Sequence, residues 1–130
     1  MTQLWVSTEI DAPAATVWGL LVDLDAWPRW GPSVRGASVE GDTLAAGARG
    51  QVQTALGPSL PFEITTFTPG VGWAWKVAGV TATDHRVEPL GPDRCRVQFG
   101  IAWPLAPYLA VCRIALGRLG QLARDKASHP

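Results

Sequence analysis

The stretch Ile10–Pro32, IDAPAATVWGLLVDLDAWPRWGP, decides how this chain folds. Asp11-Ala12-Pro13 is a helix-start signal. A carboxylate there can accept orphan amide hydrogens, and an early proline gives up only an N–H that has no intrahelical partner. Val17, Leu20, Leu21 and Leu24 then recur at the spacing that lays one apolar stripe on a helix, predicted from about Pro13 to Asp23. Asp23 and Asp25 suit the end of that helix and the start of the next better than a catalytic pair. Trp27 and Trp30 bracket Pro28, and Gly31-Pro32 breaks the chain again, so Trp27–Trp30 reads as a second, very short helix.

Upstream, Leu4–Ile10 reads as a strand. Downstream, glycine, threonine and valine dominate, and six strands are predicted: Val34–Glu40, Arg49–Leu56, Leu60–Thr68, Val71–Val77, Thr81–Glu88 and Arg94–Trp103. Their short connections force an antiparallel meander, because parallel neighbours need long crossovers. In the last strand Cys95, Val97, Phe99, Ile101 and Trp103 alternate with polar or small residues, so one face of the sheet is buried. Thr81–Glu88 turns Thr81, Thr83, His85 and Val87 to the same inner side. Pro104 ends the sheet and Pro107 opens a long helix to about Lys126, whose broad apolar arc includes Tyr108, Cys112, Leu116 and Leu119, with Ile114 off the arc. That arc must lie on the inner face of the sheet. Residues 1–126 form one domain in this reading, and residues 127–130 a frayed tail.

The segment I-x-A-P-x-x-x-V-W-x-x-L-x-D-x-x-x-W-P-x-W-x-P, carried by Ile10, Ala12, Pro13, Val17, Trp18, Leu21, Asp23, Trp27, Pro28, Trp30 and Pro32, resembles the START/Bet v 1-like superfamily. The branch it is similar to is the SRPBCC group of polyketide cyclase/dehydrase and lipid transport proteins. The resemblance implies an α+β helix-grip fold. In it a curved seven-stranded antiparallel sheet wraps a long C-terminal helix, two short helices follow strand 1, and a pocket lies between sheet and helix. It also implies binding of hydrophobic molecules, with catalysis in only some members.

Strand and helix rises place Phe99 level with Leu116, and pairing across Gly91–Asp93 brings His85 beside Phe99, aimed at Cys112 and Leu116. The facing of Trp73 and Trp75 depends on the turn before Thr81. A two-residue turn at Ala78-Gly79 points Lys76 inward; a three-residue turn, Ala78 to Val80, turns the two indoles inward and sets Trp73 across from His85. The longer turn is expected, since burying Lys76 unpaired is costly. Glu63 is expected in solvent, with Phe62, Ile64 and Thr66 inward.

The expected ligand-binding wall is therefore Trp73, Trp75, Phe99, Ile101 and Trp103 from the sheet with Tyr108, Cys112 and Leu116 from the helix. Thr81, Thr83, His85 and the Tyr108 hydroxyl are its polar points, and Trp27 and Trp30 are expected to rim its entrance. Such a wall, mostly apolar with a few hydrogen-bonding groups, suits a small molecule, and equally suits a filled core. The expected function is binding of a lipid, polyketide-like or aromatic compound, leaning away from an enzyme. The alternative is a cyclase/dehydratase-type enzyme with His85 as acid/base, since an unperturbed imidazole titrates near neutrality.

Composition narrows the field. The 130 residues carry 11 basic and 11 acidic side chains and no basic run, which gives no electrostatic support for nucleic acid. No apolar run approaches a membrane span, so membrane insertion is not expected, and neither is a leader visible in MTQLWVSTEID. The expected location is cytoplasmic, the expected assembly a monomer or homodimer. No cofactor or metal is expected: His129 is in the tail, and Cys95 and Cys112 lack ligand spacing and lie too far apart along the fold to pair.

Overall fold

The computed structural model describes residues 3–41 and 43–128. β1 (Gln3–Ile10) leads into α1 (Ala14–Val22) and α2 (Trp27–Trp30). The meander follows as β2 (Val34–Val39), β3 (Arg49–Thr54), β4 (Ser59–Thr68), β5 (Gly72–Val77), β6 (Val80–Gly91) and β7 (Arg94–Ala102). A 3-10 turn over Trp103–Tyr108 then feeds α3 (Leu109–Ser128). The seven strands form one antiparallel sheet in the order β1-β7-β6-β5-β4-β3-β2, with β1 closing against the last strand of the meander. This is the curved, helix-wrapping sheet of a helix-grip fold.

The inner face of β7 is the alternation read from the sequence: Cys95, Val97, Phe99 and Ile101 are buried. α3 packs over that side against β1, β7, α1 and α2, burying Cys112, Ala115, Leu116, Leu119 and Ala123, while Ile114 faces solvent. The long helix starts at Leu109, not Pro107. Pro104 and Pro107 both lack an amide hydrogen, and the segment holding them takes the tighter 3-10 coil. Its C-terminal end extends through Ser128; of the expected tail, His129 and Pro130 lie outside the described residues.

Asp11 does not cap α1. Pro13 occupies the cap position with no side-chain cap, and its carbonyl accepts from Thr16 and Val17, while Asp11 pairs with Arg94 at 3.6 Å. At the other end of α1 the carbonyls of Leu20 and Leu21 point into the apolar interior, where water cannot reach them. Indole N–H groups satisfy them: Trp30 Nε1 donates to Leu20 at 3.0 Å, and Trp27 Nε1 and Trp73 Nε1 donate to Leu21 at 2.9 and 3.2 Å. Half the opening stretch thus caps the other half.

The turn between β5 and β6 is the two-residue one, contrary to expectation. Val77 pairs with Val80, and Ala78 and Gly79 both take left-handed φ values of 51° and 79°, as a tight primed turn requires. Lys76 nonetheless stays in solvent, opposite Thr81, which is also exposed. A bulge reconciles the two. Ala74 pairs with Asp84 and Lys76 with Thr81, so β6 carries one extra residue opposite Trp75. Beyond it the facing is reset and Trp73 pairs with His85. Thr81, expected inward, therefore faces out. A second bulge between Ile64 and Thr66 on β4 does the same to Thr66, turning Phe67 inward against Trp18. Glu63 lies on the solvent side, 4.0 Å from Arg49.

Candidate functional site

Three inward residues of β5 and β6 build the centre of the site. Trp73 and His85, directly paired across the strands, stack at 4.0 Å between ring centroids and 27° between planes. Trp27 from α2 stacks on the other side of Trp73 at 5.3 Å and 18°, making a three-ring pile. Trp75, Trp30 and Phe99 meet the His85 ring at steep angles, with centroids 6.1, 6.1 and 4.9 Å away. His85 sits level with Phe99, as strand pairing across the β6–β7 turn requires.

His85 is only 3% exposed. Burial pushes its imidazole down to about 3, far below the usual histidine range; the Trp73 carbonyl offsets only part of that cost. The ring is therefore neutral at ordinary pH. Its Nδ1 lies 3.2 Å from the Trp73 carbonyl oxygen, which can only accept, so Nδ1 carries the proton and Nε2 is left as an acceptor. No partner among the described residues meets Nε2. Trp75 is the complementary case: its Nε1 is a buried donor with no hydrogen-bond partner among the described residues.

These groups line a small chamber between the sheet, α2 and α3, of about 40 Å³. At ~10–15 Å³ for each water position, it has room for about three waters and not for a lipid or polyketide. Trp30, Trp73, Trp75, Thr83, His85, Phe99, Tyr108 and Cys112 all contribute to its wall. Ile101 and Leu116 are buried beneath it and do not line it, and the side chain of Trp103 lies outside the described residues. Sequence reasoning put Trp27 only at the entrance and missed Gly31, Pro32, Ser33, Val34, Val111 and Ala115. The position of Val111 and Ala115 on the apolar arc of α3 could have flagged them; the loop residue Ser33 carried no signal.

The larger space lies outward. A groove of about 580 Å³ runs between β3, the β5–β6 hairpin and the start of α3, lined by Val52, Thr54, Ala55, Leu56, Val77, Ala82 and Pro107. It shares Ser33, Val34, Trp75, Thr83, Tyr108 and Val111 with the chamber, so the two abut. At their junction Ser33 Oγ and the Tyr108 hydroxyl are 2.6 Å apart, tying the α2–β2 loop to the segment before α3. Burial raises the Tyr108 hydroxyl above its ordinary value, with the Ser33 bond pulling the other way. Among the described residues, neither compartment has a Lys, Arg, Asp or Glu in its wall. Cys95 and Cys112 are buried free thiols, and no group of three metal-ligating side chains occurs among the described residues. No described helix is long and apolar enough to cross a membrane.

Residues 1–121 match the family described as polyketide cyclase / dehydrase and lipid transport. The chain belongs to that family. Its fold is shared with solved structures of low sequence identity. XoxI from Bacillus cereus is 15% identical, with a TM-score of 0.74 over 96% of this chain and 97% of that one. Zhui aromatase/cyclase from Streptomyces sp. R1128 is 11% identical, with a TM-score of 0.73 over 96% and 94%. The di-domain ARO/CYC BexL is 16% identical, with a TM-score of 0.75; all of this chain matches 48% of it, about half its length. At such identities the likeness establishes the fold alone. No curated protein matches the chain. Within the family segment Ile10, Ala12, Val17, Leu21, Trp27 and Trp30 are all buried, so most of the recognisable pattern is core and cap rather than binding wall.

Proposed function

We propose that this protein binds a neutral, hydrophobic small molecule, of lipid, polyketide-like or aromatic type, whose bulk lies in the outer groove. The observation that carries this reading is the wall itself: two abutting compartments, apolar with a few hydrogen-bonding groups and without a single charged side chain. Their outer volume, about 580 Å³, falls in the range of ordinary ligand sites, while the inner 40 Å³ does not. A charged ligand would leave its ion unpaired in an apolar wall, at high desolvation cost. Membership in a family whose description includes lipid transport supports the same reading.

A cyclase/dehydratase activity, as the names of BexL and Zhui suggest for those proteins, has less support here. His85 is the candidate acid/base, and an imidazole held near 3 neither carries a second proton to donate nor accepts one readily at neutral pH.

The test uses two fluorescent probes of similar shape, neutral N-phenyl-1-naphthylamine and anionic 1-anilinonaphthalene-8-sulfonate. The neutral probe should bind saturably at one site, at least tenfold more tightly than the anion. Val111→Trp, which fills the junction of groove and chamber, should abolish binding while leaving the melting temperature within a few degrees. Absence of saturable binding, or binding indifferent to Val111→Trp, would overturn the reading.

A further inference from the structure

Four large aromatic donors surround the buried centre, and three of them are occupied. The indole N–H groups of Trp27, Trp30 and Trp73 are held by the carbonyls that end α1. Trp75 Nε1 is buried with no partner among the described residues, and a buried donor left so costs more than a made hydrogen bond contributes. Beside it, 6.1 Å between ring centroids, stands His85, whose Nδ1 is engaged by the Trp73 carbonyl and whose Nε2 presents a lone pair. Both rings line the same chamber, which is large enough for one small polar group and opens on the apolar groove. One unmade donor and one unmade acceptor in a space of that size call for a group that can do both.

We propose that the ligand carries a neutral hydroxyl at its tip, inserted into the chamber so that its oxygen accepts from Trp75 Nε1 and its hydrogen is donated to His85 Nε2. This rests on the proposed ligand-binding reading and names the polar end of that ligand. A hydroxyl satisfies both partners; a ketone or ether oxygen leaves His85 Nε2 unmet; a carboxylate brings a charge that nothing in the wall neutralises. The preferred ligands are therefore phenols, enols or alcohols on a hydrophobic body, and free fatty acids and other carboxylates are rejected. Thr83, one inward residue before His85 on β6, adds a hydroxyl at the edge of the same space.

The experiment is isothermal titration calorimetry of the intact protein with three probes sharing one ring system: 2-naphthol, 2-methoxynaphthalene and 2-naphthoate. The expected order places 2-naphthol about tenfold tighter than the methyl ether, the scale of one buried hydrogen bond, and the carboxylate weakest. Trp75→Phe keeps an aromatic ring and removes the donor; it should cut the affinities of 2-naphthol and 2-methoxynaphthalene alike, several-fold, because both oxygens accept from the indole, and leave the gap between those two probes in place. Independent confirmation comes from the indole N–H proton spectrum: the resonance lost in Trp75→Phe should move downfield on adding 2-naphthol. Equal binding of 2-naphthol and its methyl ether, or tighter binding of the carboxylate, overturns the hydroxyl assignment but leaves the pocket standing. Failure of all three probes to bind removes the pocket reading and this inference with it.

Discussion

Acid should destabilise this protein through His85, whose imidazole is held well below its ordinary range by burial. The imidazole has an ordinary value of 6.5 when the chain is unfolded and about 3 when folded. Between those limits the unfolded state binds a proton that the folded state does not, so stability falls as pH falls. The contribution is fully present above pH 6.5, erodes by about 1.4 kcal/mol for each unit below it, and levels off near pH 3. At pH 5 the loss is about 2 kcal/mol, a sizeable share of the ~5–15 kcal/mol that holds a domain together. The ring is 3% exposed and its aromatic neighbours Trp30, Trp73, Trp75 and Phe99 are uncharged, so solvent screening and ion pairing do little to soften the effect. The assay is urea denaturation of the wild type and His85→Phe from pH 7.5 to 4.5. The variant should start about 1–2 kcal/mol less stable, having lost the bond to Trp73, and then lose stability more slowly as pH falls. Surface carboxylates such as Glu9, Asp84 and Glu88 keep the same ion-pair partners in both proteins, so their effect cancels in the difference. Parallel pH profiles, or a His85 ring proton that titrates near 6.5 in the folded protein, would refute the argument and the bare Nε2 acceptor with it.

Two further predictions concern the frame around the site. Trp27→Phe and Trp73→Phe each remove one of two donors to the Leu21 carbonyl, and the double variant removes both, so its destabilisation should exceed the sum of the singles by about 1–2 kcal/mol in a denaturation cycle. Phenylalanine keeps a ring at both positions of this stacked pair, so an additive or smaller-than-additive result refutes the shared cap. Ala78→Gly relieves the left-handed φ of 51° in the β5–β6 turn and should raise stability by up to about 1 kcal/mol, read as a higher urea midpoint at unchanged slope; a lowered midpoint refutes the strain.

Much of the fold was legible because it rests on local periodicity. Alternation in β7 and the short β6–β7 turn together put His85 level with Phe99, and the apolar arc of α3 put Ile114 outside. The bulges were not legible. An extra residue in β6 opposite Trp75 leaves no mark in hydrophobicity, since Thr81 and Thr83 look alike in sequence while one faces solvent and the other the chamber. The inward facing of Trp73 was reached from the cost of burying Lys76, a sound energetic reason attached to the wrong residue count in the turn. The volume of the site was illegible for a different reason. Alternation says which side chains point inward, not whether they meet. Here Trp27, Trp73 and His85 do meet, and the space moves out to a groove defined in part by Ser33 and Tyr108, 75 residues apart in the chain.

The abundance of tryptophan has a physical source in the helix that opens the chain. α1 is short and ends inside the protein, so the carbonyls of its last turn need donors that can be buried at little cost. Serine or lysine could donate, but would bring a second lone pair or a charge into an apolar layer. Indole supplies one N–H on an otherwise apolar ring, and three of them converge on Leu20 and Leu21. Phenylalanine at the same positions could fill the space but not end the helix. Trp75 stands in the same layer, in ring contact with Trp27 and Trp73, yet reaches no carbonyl. Packing explains its ring, and no described residue meets its N–H. That difference separates the three indoles that end α1 from Trp75, whose N–H is the donor the proposed ligand would meet.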